Sequence, residues 1–236
     1  MKRSPNFSER AQEPELMDLP YEDPMEIRLA IREIETINRL LDGFNQSLRD
    51  IQGFIQVGEK LEIQDWGCGS GDLLRILEKW GNRNAFQLDL SGYDIDPEII
   101  AYAQENSQNS KIQYFCKNVL SPEILPNSTD IVSSCLFTHH FDNSEWVLLI
   151  KKMFSVARKG VVINDLHRHP LAYYSIKILT RLFSHSNMVK YDAPLSVAKG
   201  FNRDELKSLL KTAGIENYRI RWNWAFRWSI ILYKNE

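Results

Sequence analysis

From residue 60 onward, short apolar runs alternate with segments in which apolar residues recur at helical spacing. The short runs are typical of buried strands, and the longer periodic segments are typical of amphipathic helices. We predict strands within residues 61–66, 86–95, 111–116, 130–137 and 161–166. Strands and helices alternate in this way when helices cover both faces of a parallel sheet. The pattern therefore predicts an α/β, doubly wound fold.

The remaining segments complete this pattern. Helices are predicted at 72–80, at 97–106, from Trp146 to a stop near Gly160, at 170–183, and from a capping box of Asn202 and Glu205 to Gly214, with an irregular stretch before Gly200. Residues 217–224 and 227–234 read as two final strands that form a hairpin and add an antiparallel strand to the sheet. Apolar residues recur there with a period of two from Trp222 to Ile230, which favours a strand face buried under helices.

The chain before residue 60 differs from the rest in residue composition and in the spacing of its apolar residues. Residues 1–23 combine prolines with many charges, and we predict a mobile arm that orders over a site. Asp23 and Pro24 form a helix start, and two amphipathic helices follow within 24–57, closed by Gly43 and Gly58. Residues 24–236 are predicted to form a single domain.

Composition excludes several classes of protein. The chain has 236 residues, of which 43% are apolar and 25% charged, so it is an ordinary globular sequence. Its net charge of -2 provides no field that would collect nucleic acid or anionic lipid. Residues 171–183 are interrupted by Lys177 and Arg181 and fall short of the ~20 apolar residues of a membrane span. Because the N-terminus also lacks the apolar run of a signal peptide, we expect a cytoplasmic protein.

The three cysteines carry little functional signal. Cys68, Cys116 and Cys135 are widely spaced and form no CxxC motif, which argues against a disulfide framework or a zinc site. We expect them to be reduced and buried.

Residues 65–72, Asp-Trp-Gly-Cys-Gly-Ser-Gly-Asp, leave a predicted strand and open a predicted helix. Glycines at such a junction allow a tight turn and let a ligand touch the backbone. A dinucleotide fingerprint would have its last glycine where Asp72 stands. Carboxylates at Asp72 and Asp65 would repel a pyrophosphate at the helix N-terminus. The loop therefore favours a cationic or zwitterionic nucleoside and disfavours a nicotinamide oxidoreductase.

The second predicted strand ends in Gly-Tyr-Asp-Ile-Asp-Pro, residues 92–97. Asp94 lies where such folds accept hydrogen bonds from ribose hydroxyls. Asp96 precedes Pro97 and is predicted to cap the next helix.

The glycine loop, this acidic strand end, Lys-Asn-Val at 117–119 and the segment DIVSSCLFTHHF at 130–141 follow one another along the chain. In this order they resemble the class I S-adenosylmethionine-dependent methyltransferases, and the similarity covers about residues 60–236 in pattern. The resemblance implies a Rossmann-like seven-stranded sheet with its last strand antiparallel, and S-adenosylmethionine as the cofactor.

The resemblance also implies roles for particular residues. Asp65, Gly67 and Gly69 would hold the methionine part of the cofactor. Asp94 would bind the ribose, with Ile95 against the adenine and with Asn118 and Val119 flanking the adenine edge. The end of the fourth strand, at Ser134 and Cys135, would pass beside the sulfonium. Many members of the family carry Asp at the position of Asn118. The departure is tolerable because the Asn carbonyl can accept the same hydrogen bond from the adenine amino group.

Four of the five histidines, His139, His140, His167 and His169, follow the fourth and fifth strands. An open parallel sheet binds its ligands at these carboxyl ends. Methyl transfer to oxygen requires alignment and loss of the acceptor proton, which a neutral histidine can take. We predict His140 or His167 as the base. Asp165 and His167 either orient one another or face the acceptor, or Asp165 is a plain strand-end residue. We expect no metal, because neither an HxxxH helix nor a carboxylate cluster accompanies the histidines.

The acceptor is expected between the N-terminal helices and an acceptor-side helical insertion at 167–200. The apolar side chains of that insertion recur at helical spacing and are expected to be core more often than pocket. The segment DLHRHPLAYY at 165–174 resembles methyltransferases that act on quinone, phenol or polyketide-like small molecules. We predict O-methylation of a lipophilic small molecule. The alternatives are a C- or N-methyltransferase and a non-catalytic partner protein with the same fold.

Overall fold

The computed structural model describes residues 6–21, 23–56 and 58–234. In this part of the chain seven strands form one sheet: β1 Lys60–Trp66, β2 Gln87–Asp94, β3 Gln113–Cys116, β4 Thr129–Cys135, β5 Ala157–Leu166, β6 Tyr218–Asn223 and β7 Arg227–Tyr233. Their order is β3-β2-β1-β4-β5-β7-β6. Strands β1 to β5 are mutually parallel, and β7 runs antiparallel to both of its neighbours. The predicted α/β sheet with its antiparallel last strand is confirmed.

Eight α-helices accompany the sheet in the described residues: α1 Pro24–Leu40, α2 Gly43–Gln52, α3 Asp72–Asn84, α4 Pro97–Glu105, α5 Asn143–Val156, α6 Pro170–Phe183, α7 Asn187–Lys199 and α8 Arg203–Ala213. Helices α1 and α4 begin as the sequence predicts. Asp23 accepts a hydrogen bond from the amide of Met25, and Asp96 accepts from those of Glu98 and Ile99. Each cap satisfies amide groups that a helix start otherwise leaves unpaired.

Successive residues of the sheet pack against helices on opposite faces. On β5, Val161 and Ile163 join the apolar cluster that contains α5 and α8, whereas Val162 joins the cluster that contains α2 and α3. This alternation is the period-two pattern of a strand buried on both faces. The sheet is therefore doubly wound, and the carboxyl ends of β1 to β5 lie along one edge, here called the ligand edge because open parallel sheets bind ligands there.

Several predicted boundaries are wrong. Helix α5 ends at Val156, because Ala157 already pairs with Thr129 of β4 and Gly160 lies inside β5. Gly43 is the first residue of α2 and does not close α1. The stretch before Gly200, expected to be irregular, contains the helix α7. Its start is capped by the side chain of Ser186, and Met188 and Val189 are buried in the core.

The aromatic residues of the last hairpin do not all face a core. Strand β6 ends at Asn223, so the period of two is interrupted by a turn before β7 begins. Trp228 and Ile230 are buried on β7, as predicted, but Trp222 and Trp224 are exposed. Strand β6 is the edge of the sheet, and an edge strand has fewer neighbours to cover its side chains.

The insertion at 167–200 also differs from its prediction. Most large apolar side chains of α6 are exposed, whereas those of α7 are mostly buried. Ile27 and Ile31 of α1 pack with Ile99 of α4 and Val189 of α7. Helix α1 therefore bridges a helix that follows β2 and a helix of the insertion that follows β5. In the described residues, no helix is both long enough and apolar enough to cross a membrane.

Candidate functional site

The glycine loop between β1 and α3 turns on three residues of positive φ. Gly67, Gly69 and Gly71 have φ of 67°, 52° and 79°, values that favour glycine. The amides of Gly67 and Cys68 donate to the carbonyl of Tyr93, which ties the loop to the end of β2. A Cβ at Gly67 would lie 2.2 Å from the Phe137 ring, whereas one at Gly69 would meet nothing within 4 Å. Gly69 therefore presents its backbone to open space, and Gly67 is packed under an aromatic ring.

Asp94 lies directly beside this loop at the end of β2. Its Oδ2 accepts from the amide of Gly69 at 3.2 Å, and its Oδ1 accepts from the amide of Asp96 at 3.2 Å. Burial raises the pKa of the Asp94 carboxyl, although these amide hydrogen bonds oppose the rise. Ile95, the next residue, has an exposed side chain. The structure thus brings together a carboxylate, a loop backbone and an exposed apolar surface.

The third element of the predicted cofactor site follows β3. The amide of Lys117 donates to the carbonyl of Asp94 at 2.8 Å, which places the turn at 118–120 next to Asp94. Asn118 is exposed, and its Oδ1 accepts from the amide of Leu120 at 2.9 Å. Val119 is buried. The side-chain carbonyl of Asn118, which is expected to accept from an adenine amino group, therefore already accepts a hydrogen bond within its own turn.

Asp65 and Cys135 are less accessible than the loop. Asp65 is buried, accepts from the hydroxyl of Ser133 at 2.8 Å, and has a pKa that burial raises to about 7. The side chain of Cys135 packs with the apolar cluster of α2 and α3, and burial raises its pKa to about 12. Such a thiol stays protonated, so Cys135 offers a ligand its backbone and not a thiolate.

Two other residues depart from their predictions. Cys116 is exposed, because β3 is a short edge strand and its last side chain has no covering element. Asp72 is buried and pairs with Arg75 of its own helix at 2.7 Å. Since an arginine neutralises Asp72, the argument that this carboxylate would repel a pyrophosphate is weaker than the sequence suggested.

A buried histidine–aspartate pair lies where β4 and β5 end. The Nδ1 of His139 lies 2.7 Å from Oδ1 of Asp165, and Oδ2 of Asp165 accepts from the Thr138 hydroxyl at 2.6 Å. Burial alone would raise the pKa of Asp165, but the His139 ring and the Thr138 hydroxyl lower it to about 2. An ionised Asp165 accepts from Nδ1 of His139 and orients the ring, so that Nε2 faces Glu15. The sequence placed His139 at the ligand edge but did not single it out.

The two histidines singled out from the sequence have other partners. The Nδ1 of His140 lies 2.9 Å from Oδ2 of Asp18. Burial lowers the pKa of His140, but Asp18 and Glu15 outweigh it and the net pKa is raised. His167 accepts a hydrogen bond from Nε1 of Trp222 at 3.1 Å, and burial lowers its pKa. Asp165 bonds to His139, so the predicted pairing of Asp165 with His167 is not formed.

Residues 6–21, here called the strap, lie over the ends of β4 and β5; residues 1–5 and 22 of the predicted arm are outside the described residues. Arg10 is buried and donates to four oxygens, which belong to the carbonyls of His139, Phe141 and Lys199 and to the side chain of Asn143. The amides of Leu16 and Met17 donate to Asp192 of α7. Tyr21 donates to Asp96 at the start of α4. The strap therefore connects α7 and the end of β4 with the start of α4.

Glu15 is the strap residue that faces the histidines. Its Oε1 is buried without a hydrogen-bond partner, 3.8 Å from Nε2 of His139 and 3.8 Å from Nδ1 of His140. The ligand atoms of these three residues lie within 4.8 Å of one another, a spacing that a metal ion could use. The Nζ of Lys199 lies 3.4 Å from the same Oε1 and supplies a positive charge there. The cluster is thus an ion-paired group as it stands, and the absence of a metal stays a prediction.

A family model described as a methyltransferase domain matches residues 63–160, which run from β1 into β5. A curated relative, the ribosomal protein L11 methyltransferase of Lachnospira eligens, is 25% identical over 114 residues, which are 39% of this chain and 34% of the relative. The chain thus spans about a third of the length of the curated relative it matches.

Solved structures share the fold at low sequence identity. A SAM-dependent methyltransferase from Aquifex aeolicus is 16% identical with a TM-score of 0.63, over 90% of this chain and 98% of the other. A candidate O-methyltransferase from Nostoc punctiforme is 17% identical with a TM-score of 0.61, over 94% and 64% of the two chains. Magnesium protoporphyrin IX methyltransferase from Synechocystis, solved with bound SAH, is 14% identical with a TM-score of 0.52, over 93% and 91%.

These similarities agree with the strand order of the sheet. Residues 63–160 match the model of a methyltransferase domain, and the chain shares its fold with S-adenosylmethionine-dependent methyltransferases. The family resemblance seen in the sequence is confirmed.

Proposed function

We propose that this protein transfers a methyl group from S-adenosylmethionine to an oxygen of a lipophilic small molecule, such as a phenol, a quinone or a polyketide-like compound. The observation that carries the proposal is the carboxylate of Asp94 beside the backbone of Gly69, at the carboxyl ends of parallel strands. A doubly wound sheet binds nucleosides at this edge. The Aquifex and Synechocystis methyltransferases with the same fold support S-adenosylmethionine as the methyl donor.

The residues around the loop fit this cofactor. Asp94 offers the ribose hydroxyls a carboxylate, and the exposed Ile95 offers the adenine an apolar face. The open space at Gly69 admits the amino-acid part of the cofactor against the backbone, with Gly67 and Asp65 beneath it. Val119 and the backbone around Asn118 border the adenine edge, and Cys135 borders the sulfonium through its main chain. When bound, the cofactor supplies the electrophilic methyl group.

We propose that His139 is the base that removes the proton from the methyl acceptor. His140 and His167, the bases predicted from the sequence, are the alternatives. The Asp165 carboxylate orients His139 and leaves its Nε2 as an acceptor, which is the arrangement of a general base. Oε1 of Glu15, which has no hydrogen bond and lies 3.4 Å from the Lys199 ammonium, is where an acceptor hydroxyl would find a second polar partner. His140 is held by Asp18, and a raised pKa makes it a weaker acceptor near neutrality.

Calorimetric titration with S-adenosylhomocysteine tests the cofactor assignment. We expect micromolar binding by the wild-type chain and weaker binding by Asp94→Ala. Absence of binding at high micromolar ligand would overturn the enzyme assignment and leave a non-catalytic partner protein. NADH fluorescence quenching, run in parallel, would instead support an oxidoreductase. The acceptor can be sought by mass spectrometry as a metabolite that gains one CH₂ group only with active protein.

Three single variants separate the candidate bases once an acceptor is known. His139→Ala should lower turnover by ~10²–10⁴-fold, the usual scale for a positioned base, with cofactor affinity nearly intact. His140→Ala and His167→Ala are matched controls, since each removes a histidine from the same edge. Full turnover by His139→Ala, with a loss in either control, would transfer the role to that histidine. If all three variants keep full turnover, the enzyme works by alignment alone on an ionised acceptor.

A further inference from the structure

Helix α6 carries a large apolar surface that stays exposed among the residues that the structure describes. Leu171, Ile178, Leu182 and Phe183 are 59%, 59%, 68% and 73% exposed. Residues 171, 178 and 182 recur at helical spacing and so form one stripe along the helix. A contiguous apolar stripe of this size on a globular protein marks an interaction surface more often than a chance exposure.

The stripe continues beyond the helix onto the β6–β7 turn. His169, which caps the start of α6, stacks on Phe226 with ring centroids 4.9 Å apart. Phe226 in turn contacts Trp222 and Trp224, which are 46% and 68% exposed. Two tryptophans therefore lie at one end of the surface and Phe183 at the other. Trp and Phe are the side chains that favour the boundary between lipid headgroups and acyl chains.

The exposed charges of this segment have one sign. Residues 166–191 contain four Lys and Arg, three His and no Asp or Glu, in a chain whose net charge is -2. Arg168 is buried and paired with Glu205, so it adds no charge to the surface. Lys177 and Arg181 stand among the exposed apolar residues of α6 itself. Glu33 of α1 reaches the end of the helix, but its carboxylate accepts from Ser184 and the amide of His185. Residues 166–191 are therefore basic and apolar, although the net charge of the whole chain is slightly negative.

We propose that α6, together with Trp222 and Trp224, binds the surface of an anionic lipid bilayer and lies in the interface without crossing it. An apolar stripe flanked by Lys and Arg is the pattern of an interfacial helix. A second copy of the chain is a poorer occupant, because a two-fold contact through α6 would bring the same cations of both copies together. If the proposed function holds, this surface brings the enzyme to the phase in which a lipophilic acceptor dissolves.

Vesicle sedimentation without acceptor or cofactor tests the proposal separately from methyl transfer. The probes are phosphatidylcholine vesicles, and the same vesicles with roughly one third phosphatidylglycerol. We expect the wild-type chain to sediment with the anionic vesicles, to release as salt rises, and to shift its tryptophan emission to the blue. Leu182→Glu with Phe183→Glu should weaken binding at least tenfold. Lys177→Gln and Arg181→Gln should each weaken it about fivefold.

Leu148→Glu is the matched control, because Leu148 is a 60% exposed leucine on α5, outside the proposed surface. It should bind vesicles as the wild-type chain does, and circular dichroism checks that each variant is folded. Equal losses in Leu148→Glu and in the α6 variants would overturn the proposal, as would wild-type protein that stays in the supernatant. Dimers in analytical ultracentrifugation that Leu182→Glu dissociates, without vesicle binding, would identify a second copy as the occupant.

Discussion

The two sides of the ligand edge are built in different ways. On the side that we propose binds the cofactor, here the cofactor side, Gly69 and Asp94 are 25 residues apart and are joined through a backbone amide. On the side that we propose binds the acceptor, here the acceptor side, Arg10 reaches the carbonyl of His139 across 129 residues, and Leu16 reaches Asp192 across 176. The first side depends on local backbone conformation, and the second depends on side chains that meet only in the finished fold. Damage to the first side should therefore remove cofactor binding, and damage to the second should leave it.

The largest effect is expected at Gly67. In Gly67→Val the new Cβ would lie 2.2 Å from the Phe137 ring, and φ of 67° disfavours a branched side chain. Backbone strain and overpacking each cost about 1–3 kcal/mol, so the unfolding temperature should fall and S-adenosylhomocysteine binding should vanish. The loss of stability should be larger than the sequence alone suggests, because the sequence does not reveal Phe137 above this glycine. Calorimetry and thermal unfolding measure the two effects.

A pair of milder variants separates ligand contact from strain. Gly69 and Gly214 both have positive φ, and a Cβ added at either would meet no atom within 4 Å, but only Gly69 lies at the loop. Alanine at either position should cost about 1 kcal/mol of stability. Only Gly69→Ala should also weaken S-adenosylhomocysteine binding. Equal affinities in the two variants would mean that the ligand does not approach the loop backbone.

Asp94→Ala should have the next largest effect on binding. A charged hydrogen bond contributes ~1.5–3 kcal/mol, so cofactor affinity should fall at least tenfold while the fold persists. Asp89→Ala, which removes an exposed carboxylate from the same strand, should leave affinity unchanged. Unchanged affinity in Asp94→Ala would place the ribose elsewhere.

Arg10→Met should open the strap without affecting the cofactor side. It removes the donor to three backbone carbonyls and leaves those of His139 and Lys199 buried without this partner, at about 1–3 kcal/mol each. Hydrogen exchange of residues 6–21 should quicken at least tenfold, and S-adenosylhomocysteine affinity should stay within experimental error. Arg158→Met, which removes a partly exposed arginine paired with Asp130, should change neither. A loss of cofactor affinity in Arg10→Met would show that the two sides are coupled.

The smallest predicted effect is a pH dependence of the strap. The pKa of His140 is raised above 6.5 by Asp18 and Glu15, so the folded chain holds this proton more tightly than the unfolded chain does. The stabilisation that protonated His140 adds to the folded chain is complete below pH 6.5. It is lost as the pH rises through the higher pKa that His140 has in the folded chain. Exchange of the strap should quicken across that range in the wild-type chain. Asp18→Asn should flatten this step, and an unchanged step would assign it to another group.

Asp192 contributes in a lower range of pH. Burial raises its pKa to about 6 from 3.8, so the stability linked to its protonated form is lost as the pH rises between these values. Exchange measured from pH 4 to 8 should therefore resolve two steps, and Asp192→Asn should remove only the lower one.

The cofactor side and the fold could be predicted from the sequence because their signals are local. The glycine loop, the cap at Asp96 and the alternation of strands each occupy a few adjacent residues, and the structure agrees with them. The roles assigned to Asp65, Asp94 and Asn118 remain predictions that the experiments above address.

The acceptor side could not be predicted because it depends on distant partners. Nothing near Asp165 in sequence indicates that it bonds to His139 and not to His167, since the choice depends on how β4 and β5 end relative to each other. Residues 171–183 have the periodicity of a buried helix, and periodicity alone does not say whether another element covers it. Glu15 and Arg10 lie in a segment rich in prolines and charges, which resembles a mobile arm until its partners are known.

The strap also sets an order of events during protein synthesis. Residues 6–21 are synthesised before their partners at Asn143, Asp192 and Lys199, which follow more than a hundred residues later. The strap therefore stays undocked while the earlier strands of the sheet form, and it can dock fully only when α7 is complete. A nascent chain cannot close this end of the molecule early, so the covered histidine cluster appears only in a protein that has been translated at least as far as Lys199.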